Sequence, residues 1–298
     1  MKRSLIAIAL LAALPVAAQQ DFSKVEVKTQ KLNDSTYMLT GAGGNLGVSI
    51  GEDAVFVVDD QYAPMAPKIQ AAIAALSPKP VKFILNTHWH GDHTGGNEVF
   101  GKAGAIIVAH ENVRKRMGSE QFIALFNSKV PAAPKAALPV VTFSTDVAFQ
   151  LNGEEIRGLH VPRAHTDGDT IVYFVKGDIL HMGDTFFNNM YPFIDGSSGG
   201  TPEGIVAAAD KALAMSTDKT QIIPGHGPMA TKADLKAYRD MLDTVSGRVK
   251  QMIKDGKKLE DIKAASAQVT AGYEDKFGKG FIKGDKFAEM LAMGYLKP

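Results

Sequence analysis

His88-Trp89-His90-Gly91-Asp92-His93 follows closely on the apolar run Val81-Lys82-Phe83-Ile84-Leu85. Three imidazoles and one carboxylate therefore fall within a single short segment. A strand over Lys82–Asn86 that ends in such a cluster delivers several donors to one rim of a sheet. Neutral imidazole and carboxylate are the donors that suit zinc and related divalent metals. A lone histidine is more often hydrogen-bonded in a loop or a core. Four donors at this spacing argue for a metal.

The segments on either side place this cluster in a layered α/β fold. Short β-rich stretches at Val25–Lys28, Ser35–Thr40 and Leu46–Ile50 are separated by turn residues, among them Gly41-Ala42-Gly43-Gly44. Ala54-Val55-Phe56-Val57-Val58 is a continuous apolar run ending in Asp59-Asp60, as expected of a strand buried on both faces. Pro67–Leu76 reads as a helix, Ala105–Ala109 as a strand, and a further helix starts near Glu111. Met117–Pro139, with Pro131, Pro134 and Pro139, reads as a loop with a helical piece. Asn152-Gly153 and Lys176-Gly177 each join two strands in hairpins, Val147–Leu151 to Glu154–Val161 and Thr170–Val175 to Asp178–Met182. Helices over Pro202–Met215 and Thr231–Ile253 enclose the short strand Gln221–Ile223, and 257–298 is mostly helical. Two βα halves in this order predict sheets packed face to face with helices outside, a four-layer αββα sandwich.

The first residues read differently. Lys2 and Arg3 precede the apolar stretch Leu5–Leu14, and Val16 and Ala18 place small residues before Gln19. The stretch is shorter than the roughly 20 residues a membrane span needs, so residues 1–18 are expected to be a cleaved secretory signal, and 19–298 one domain with a helical C-terminal extension. Loss of Lys2 and Arg3 takes the formal net charge from +1 to −1. No basic patch points to nucleic acid. A periplasmic or secreted protein without stable membrane association is expected, acting on a small molecule. The chain has no Cys, so neither disulfides nor a thiolate nucleophile or ligand are available.

Four loop segments carry chemistry, each after an expected strand: His88–His93, Arg163–Asp169, His181–Thr185 and Pro224–Gly227. With them in view, the chain resembles the metallo-β-lactamase superfamily over its whole mature length. His-x-His-x-Asp-His is His88, His90, Asp92 and His93; the later His is His165, the Gly-Asp is Gly183-Asp184, and the final Gly-His is Gly225-His226. Asp59 stands where an acidic residue usually ends an early strand and supports the metal loop. The resemblance implies two Zn2+ ions, one held by His88, His90 and His165, the other by Asp92, His93 and His226, with Asp184 bridging them. Zinc lowers the pKa of bound water to about 7, which would supply a nucleophile for an amide- or ester-type carbonyl, with Asp92 as a catalytic proton relay.

Asp184 narrows the choice of relatives. Metallo-β-lactamases that ligate through a thiolate have Cys at this position, and the Lys that grips the lactam carboxylate would fall at Phe187. A β-lactam is the leading expected substrate, with lactone or glyoxalase-II-like thioester hydrolysis as the alternative. A mononuclear-iron sulfur dioxygenase and a non-catalytic metal-binding protein are more distant. Other polar residues have competing structural roles: His181 as a hydrogen-bonded strand end, His110 as a cap, His160 as strand surface, Asn188 and Asn189 as loop formers. Asp167 and Asp169 would orient His165 or shape its turn. Trp89, Phe187, Tyr191 and Phe193 would wall a substrate pocket or simply pack.

Overall fold

The inner strands of the central sheets alternate their side chains between two apolar layers, which accounts for unbroken hydrophobic runs such as Val55–Val58. A computed structural model describes residues 21–296; the signal segment expected at 1–18 lies outside them. The strands are β1 (Lys28–Lys31), β2 (Thr36–Thr40), β3 (Leu46–Ile50), β4 (Val55–Val58), β5 (Val81–Asn86), β6 (Ile106–His110), β7 (Gln121–Ile123), β8 (Ser128–Val130), β9 (Val141–Phe143), β10 (Asp146–Leu151), β11 (Glu154–His160), β12 (Thr170–Phe174), β13 (Ile179–His181) and β14 (Gln221–Ile223). The helices are α1 (Ala66–Ala74), α2 (Gly91–Thr94), α3 (Asn97–Lys102), α4 (Glu111–Met117), α5 (Pro202–Met215), α6 (Lys232–Lys254), α7 (Leu259–Ala264), α8 (Ser266–Val269), α9 (Glu274–Phe277) and α10 (Gly284–Leu296).

The first sheet runs β1-β2-β3-β4-β5-β6-β9 and the second β10-β11-β12-β13-β14, with β7-β8 as a separate hairpin. In β4, Val55 and Val57 face a layer with Ile69 and Ile73 of α1 and Phe100 of α3. Phe56 and Val58 face the other way, meeting Ile156, Val172, Phe174 and Ile223 of the second sheet. Beyond that sheet, Ile171, Leu180 and Ile222 pack with Ile205 of α5, Tyr238 and Leu242 of α6, and Phe287 and Leu291 of α10. The layers are therefore helix, sheet, sheet, helix, as expected. Asn152 and Gly153 have φ of 59° and 66°, the left-handed pair that a two-residue hairpin requires. The Asn152 amide also caps the β3–β4 turn through Ser49 and Ala54, tying one sheet to the other.

Two local expectations need correction. Val25–Lys28 is not the first strand, which begins at Lys28. The Lys68 ammonium donates to the carbonyls of Phe22, Ser23 and Val25, so this segment is bound to α1 rather than to β2. Met117–Pro139 contains the β7–β8 hairpin as well as short helical turns, and β9 follows it. Among the described residues no helix is long and apolar enough to cross a membrane.

Phe56 is fully buried and meets Phe149 edge-on, with ring centroids 4.9 Å apart. Phe56→Ala is expected to destabilise the protein by about 3–5 kcal/mol through the cavity it leaves between the sheets. Urea denaturation of the metal-free protein measures this, and a loss below about 1 kcal/mol would contradict that packing.

Candidate metal centre

The ends of β5, β13 and β14 meet at one edge of the sandwich, and the parallel β13–β14 pairing aligns the last two. His88–His93 leaves β5 and turns into α2. His165 lies between β11 and β12, Asp184 follows β13, and His226 follows β14. Backbone approach is close here. A Cβ on Gly225 would lie 2.0 Å from Asp184 Oδ1, and one on Gly44 would lie 2.1 Å from His93 Cε1. Only glycine lets these strands of chain press against the donors.

The donor atoms form two groups, His88/His90/His165 and Asp92/His93/Asp184/His226, in each of which they all lie within 4.8 Å of one another. His165 Nε2 is 2.9 Å from His90 Nδ1. Asp184 stands between the groups. Its Oδ2 is 3.8 Å from His88 Nε2, 3.6 Å from His165 Nε2 and 3.4 Å from His226 Nε2, and its Oδ1 is 3.0 Å from His93 Nε2. Asp92 Oδ2 lies 3.2 Å from His226 Nε2. All seven residues expected from the sequence are thus brought together.

The opposite nitrogens of four rings are committed elsewhere, which fixes the tautomers. His93 Nδ1 bonds Asp59 Oδ2 at 2.7 Å, and His165 Nδ1 bonds the Phe193 carbonyl at 2.7 Å. His90 Nε2 bonds Asp195 Oδ2 at 3.0 Å, so its Nδ1 is the inward atom. His88 Nδ1 bonds Thr87 Oγ1, which in turn donates to Asp59 Oδ2. Such outer partners hold imidazoles ready for metal. His88 Nε2 is buried with no hydrogen-bond partner, a costly arrangement unless a cation completes it. The donor set therefore fits divalent metal.

Charge is divided unevenly across the site. Burial and the neighbouring His93 hold His88 well below the usual histidine range, and burial takes His165 down to about 4. Burial also opposes charge on His93 and His226, but Asp184 and Asp92 outweigh it, raising His93 well above its usual value and His226 to about 9. Against the same penalty, His93 and His226 lower Asp92 to about 2 and hold Asp184 well below the usual carboxylate range.

The remaining sequence candidates have other work. His181 donates to the Asn45 carbonyl and accepts from Gly183 N–H, so it faces no ligand. His110 caps α4 at Asn112 and stacks on His160 at 3.8 Å. Asp169 accepts from Thr166 and Asp167 pairs with Arg116, so both shape the turn rather than orient His165. The Asn188 amide donates to Pro228. Phe193 stacks on His90 and Phe187 on His226, whereas Tyr191 is buried against Phe287. Asp195 and Gln61 were not singled out from the sequence. Gln61 holds the Gly41–Gly44 loop through Ala42 N–H and the Gly44 carbonyl. The Asp195-Gly196-Ser197-Ser198 run signals a turn, but its reach to His90 is a tertiary event.

Above pH 4, His165 is neutral, whereas His93 and His226 must lose protons before they can bind metal. Metal uptake at the Asp92/His93/Asp184/His226 group should therefore release protons at pH 7, and its affinity should climb with pH up to about 9. Calorimetric titration in buffers of different ionisation enthalpy reads this directly; proton-free uptake at both groups would contradict it. Asp59→Asn removes an acceptor oxygen shared by Thr87 and His93. It should weaken metal affinity about 10–100-fold, measured by chelator competition, and an unchanged affinity would refute the role.

Residues 44–263 match the sequence profile of the metallo-beta-lactamase superfamily. The chain is 23% identical to the 2,4-dinitroanisole O-demethylase subunit alpha of Nocardioides sp. (strain JS1661) over 256 residues, 83% of this chain and 71% of that one. It is 29% identical to the hydroxyacylglutathione hydrolase of Nitrosococcus oceani over 150 residues, 48% of this chain and about half (47%) of that relative's length. Its fold is similar to that of the metallo-beta-lactamase from Pontibacter korlensis, with a TM-score of 0.60 and 20% identity over 73% of this chain and 99% of that one. The chain belongs to the metallo-beta-lactamase superfamily of hydrolases.

Proposed function

We propose that this chain is an exported, two-zinc hydrolase that cleaves an acyl carbonyl bond, with β-lactams the first candidate substrates. The observation that carries the reading is Asp184, whose two oxygens lie between a three-histidine group and an Asp/His group. His88, His90 and His165 would hold one zinc and Asp92, His93 and His226 the other, with Asp184 shared. Zinc held there would supply a Lewis acid and lower the pKa of a water molecule to about 7.

The protein's own residues do the rest. Phe193 and Phe187 each stack on one face of His90 and His226, removing that face from water and strengthening the local electrostatics. Asp92 is partly exposed and its Oδ2 lies 3.2 Å from His226 Nε2, the position from which it would relay a proton. One N–H of the Asn188 amide is committed to the Pro228 carbonyl, so only its second could serve an oxyanion. Export is supported by the basic, apolar and small-residue pattern of 1–18.

Thioester hydrolysis is the second reading, favoured by the similarity to a hydroxyacylglutathione hydrolase and by an aspartate at position 184 in a chain without Cys. The zinc-loaded mature protein assayed on nitrocefin, a carbapenem, acyl lactones and thioesters separates these substrates. Iron content with O₂ consumption would overturn the hydrolase. Asp184→Asn should lower metal content at both groups and cut kcat by about 100-fold or more. A fully active two-zinc variant would refute the shared ligand.

A further inference from the structure

Among the described residues three phenylalanines are exposed, Phe122 (47%), Phe126 (51%) and Phe281 (53%). Two of them continue aromatic chains that end on the metal-site histidines. Phe281 lies 6.0 Å from both Phe187 and His226, and Phe187 stacks on His226 at 5.3 Å and 12°. Phe126 lies 5.1 Å from Phe193, which stacks on His90 at 5.7 Å and 18° and meets His165 at 5.4 Å. Each donor group is thus flanked by a buried ring with an exposed ring beside it.

Neither exposed ring sits on a loose segment. Around Phe281, Phe277 and Ile282 are buried, the Phe277 carbonyl accepts from Tyr191 N–H, and Lys283 donates to the Gly278 carbonyl. A Cβ on Gly280 would lie 2.7 Å from Met190 Cγ, so this loop presses on the chain that follows Phe187. Phe126 ends a short helical turn whose first N–H, at Ala124, bonds Ser197 Oγ beside Asp195. Anchored loops that keep large apolar rings in water beside a polar centre mark a surface made for an apolar ligand. Phe281 also lies beyond the superfamily match at 44–263.

We infer that Phe126 and Phe281 determine specificity, holding an aryl or medium-chain acyl group of the substrate beside the metal centre. The inference rests on the hydrolase reading for the reaction but not for the binding. Two measurements on the zinc-loaded protein keep these apart. The first is the ratio of kcat/KM for 4-nitrophenyl octanoate over 4-nitrophenyl acetate. The second is binding of 4-phenylbutyrate against acetate, followed by fluorescence of Trp89, the single tryptophan, whose ring centroid is 4.7 Å from that of His90.

Wild type should prefer the larger apolar partner in both. Phe126→Ala and Phe281→Ala should each lower the preference about fivefold, as expected for loss of one aromatic contact, while Phe281→Tyr retains it and Phe122→Ala behaves as wild type. Ester cleavage absent in wild type, with the binding preference present and lost in the variants, would count against ester hydrolysis and leave the apolar rim standing. No preference in wild type, or one that survives both alanine substitutions, overturns the inference.

Discussion

The carboxylate of Asp59 is the constraint on which the metal centre depends. It leaves the end of β4 with φ of 61°, a left-handed conformation that costs a non-glycine residue energy. From there one side chain accepts Thr87 N–H and Thr87 Oγ–H and bonds His93 Nδ1, each at 2.7 Å. Thr87 passes the restraint to His88. One member of each donor group is therefore aimed from a single buried point between β4 and β5. The two groups cannot be oriented independently.

A second consequence is electrostatic. Burial penalises every charge in the centre, yet the carboxylates of Asp92 and Asp184 stay ionised because His93 and His226 face them. On the other side His88 and His165 stay neutral because burial outweighs the pull of Asp184. The fold thus sets two neutral imidazoles, His88 and His165, on one side of Asp184 and the charge-favouring pair His93 and His226 on the other. This asymmetry suits a site in which one ion is held mainly by imidazoles and the other partly by anions.

Scaffold and variable segments are separated in space. The sheets and the inter-sheet layer around Phe56 set the edge where the donors meet. The β7–β8 hairpin and the loop before α10 add rings around that edge without joining either sheet. Both loops are anchored to the donor-bearing chain, through Ser197 beside Asp195 and through Met190.

His88, His90, Asp92 and His93 were legible from residue types and spacing within one segment, whereas His165, Asp184 and His226, each in a loop after an expected strand, were singled out through the resemblance to the superfamily. The layered fold was legible too, because two-faced strands leave unbroken apolar runs such as Val55–Val58 and hairpins leave Asn152-Gly153. Local signals encode local geometry, and these features are local. Val25–Lys28 misled because its β-like composition did not reveal that Lys68, far along the chain, would bind its carbonyls. Asp195 was silent for the same reason: a turn-forming Asp looks alike whether or not a histidine lies against it. The sequence alone determined which residues can offer metal donors and that thiolate chemistry is excluded. Only the tertiary structure decided which nitrogen of each ring faces inward, which donors carry charge, and which phenylalanines stand at the entrance, because those depend on contacts between residues separated by dozens of positions.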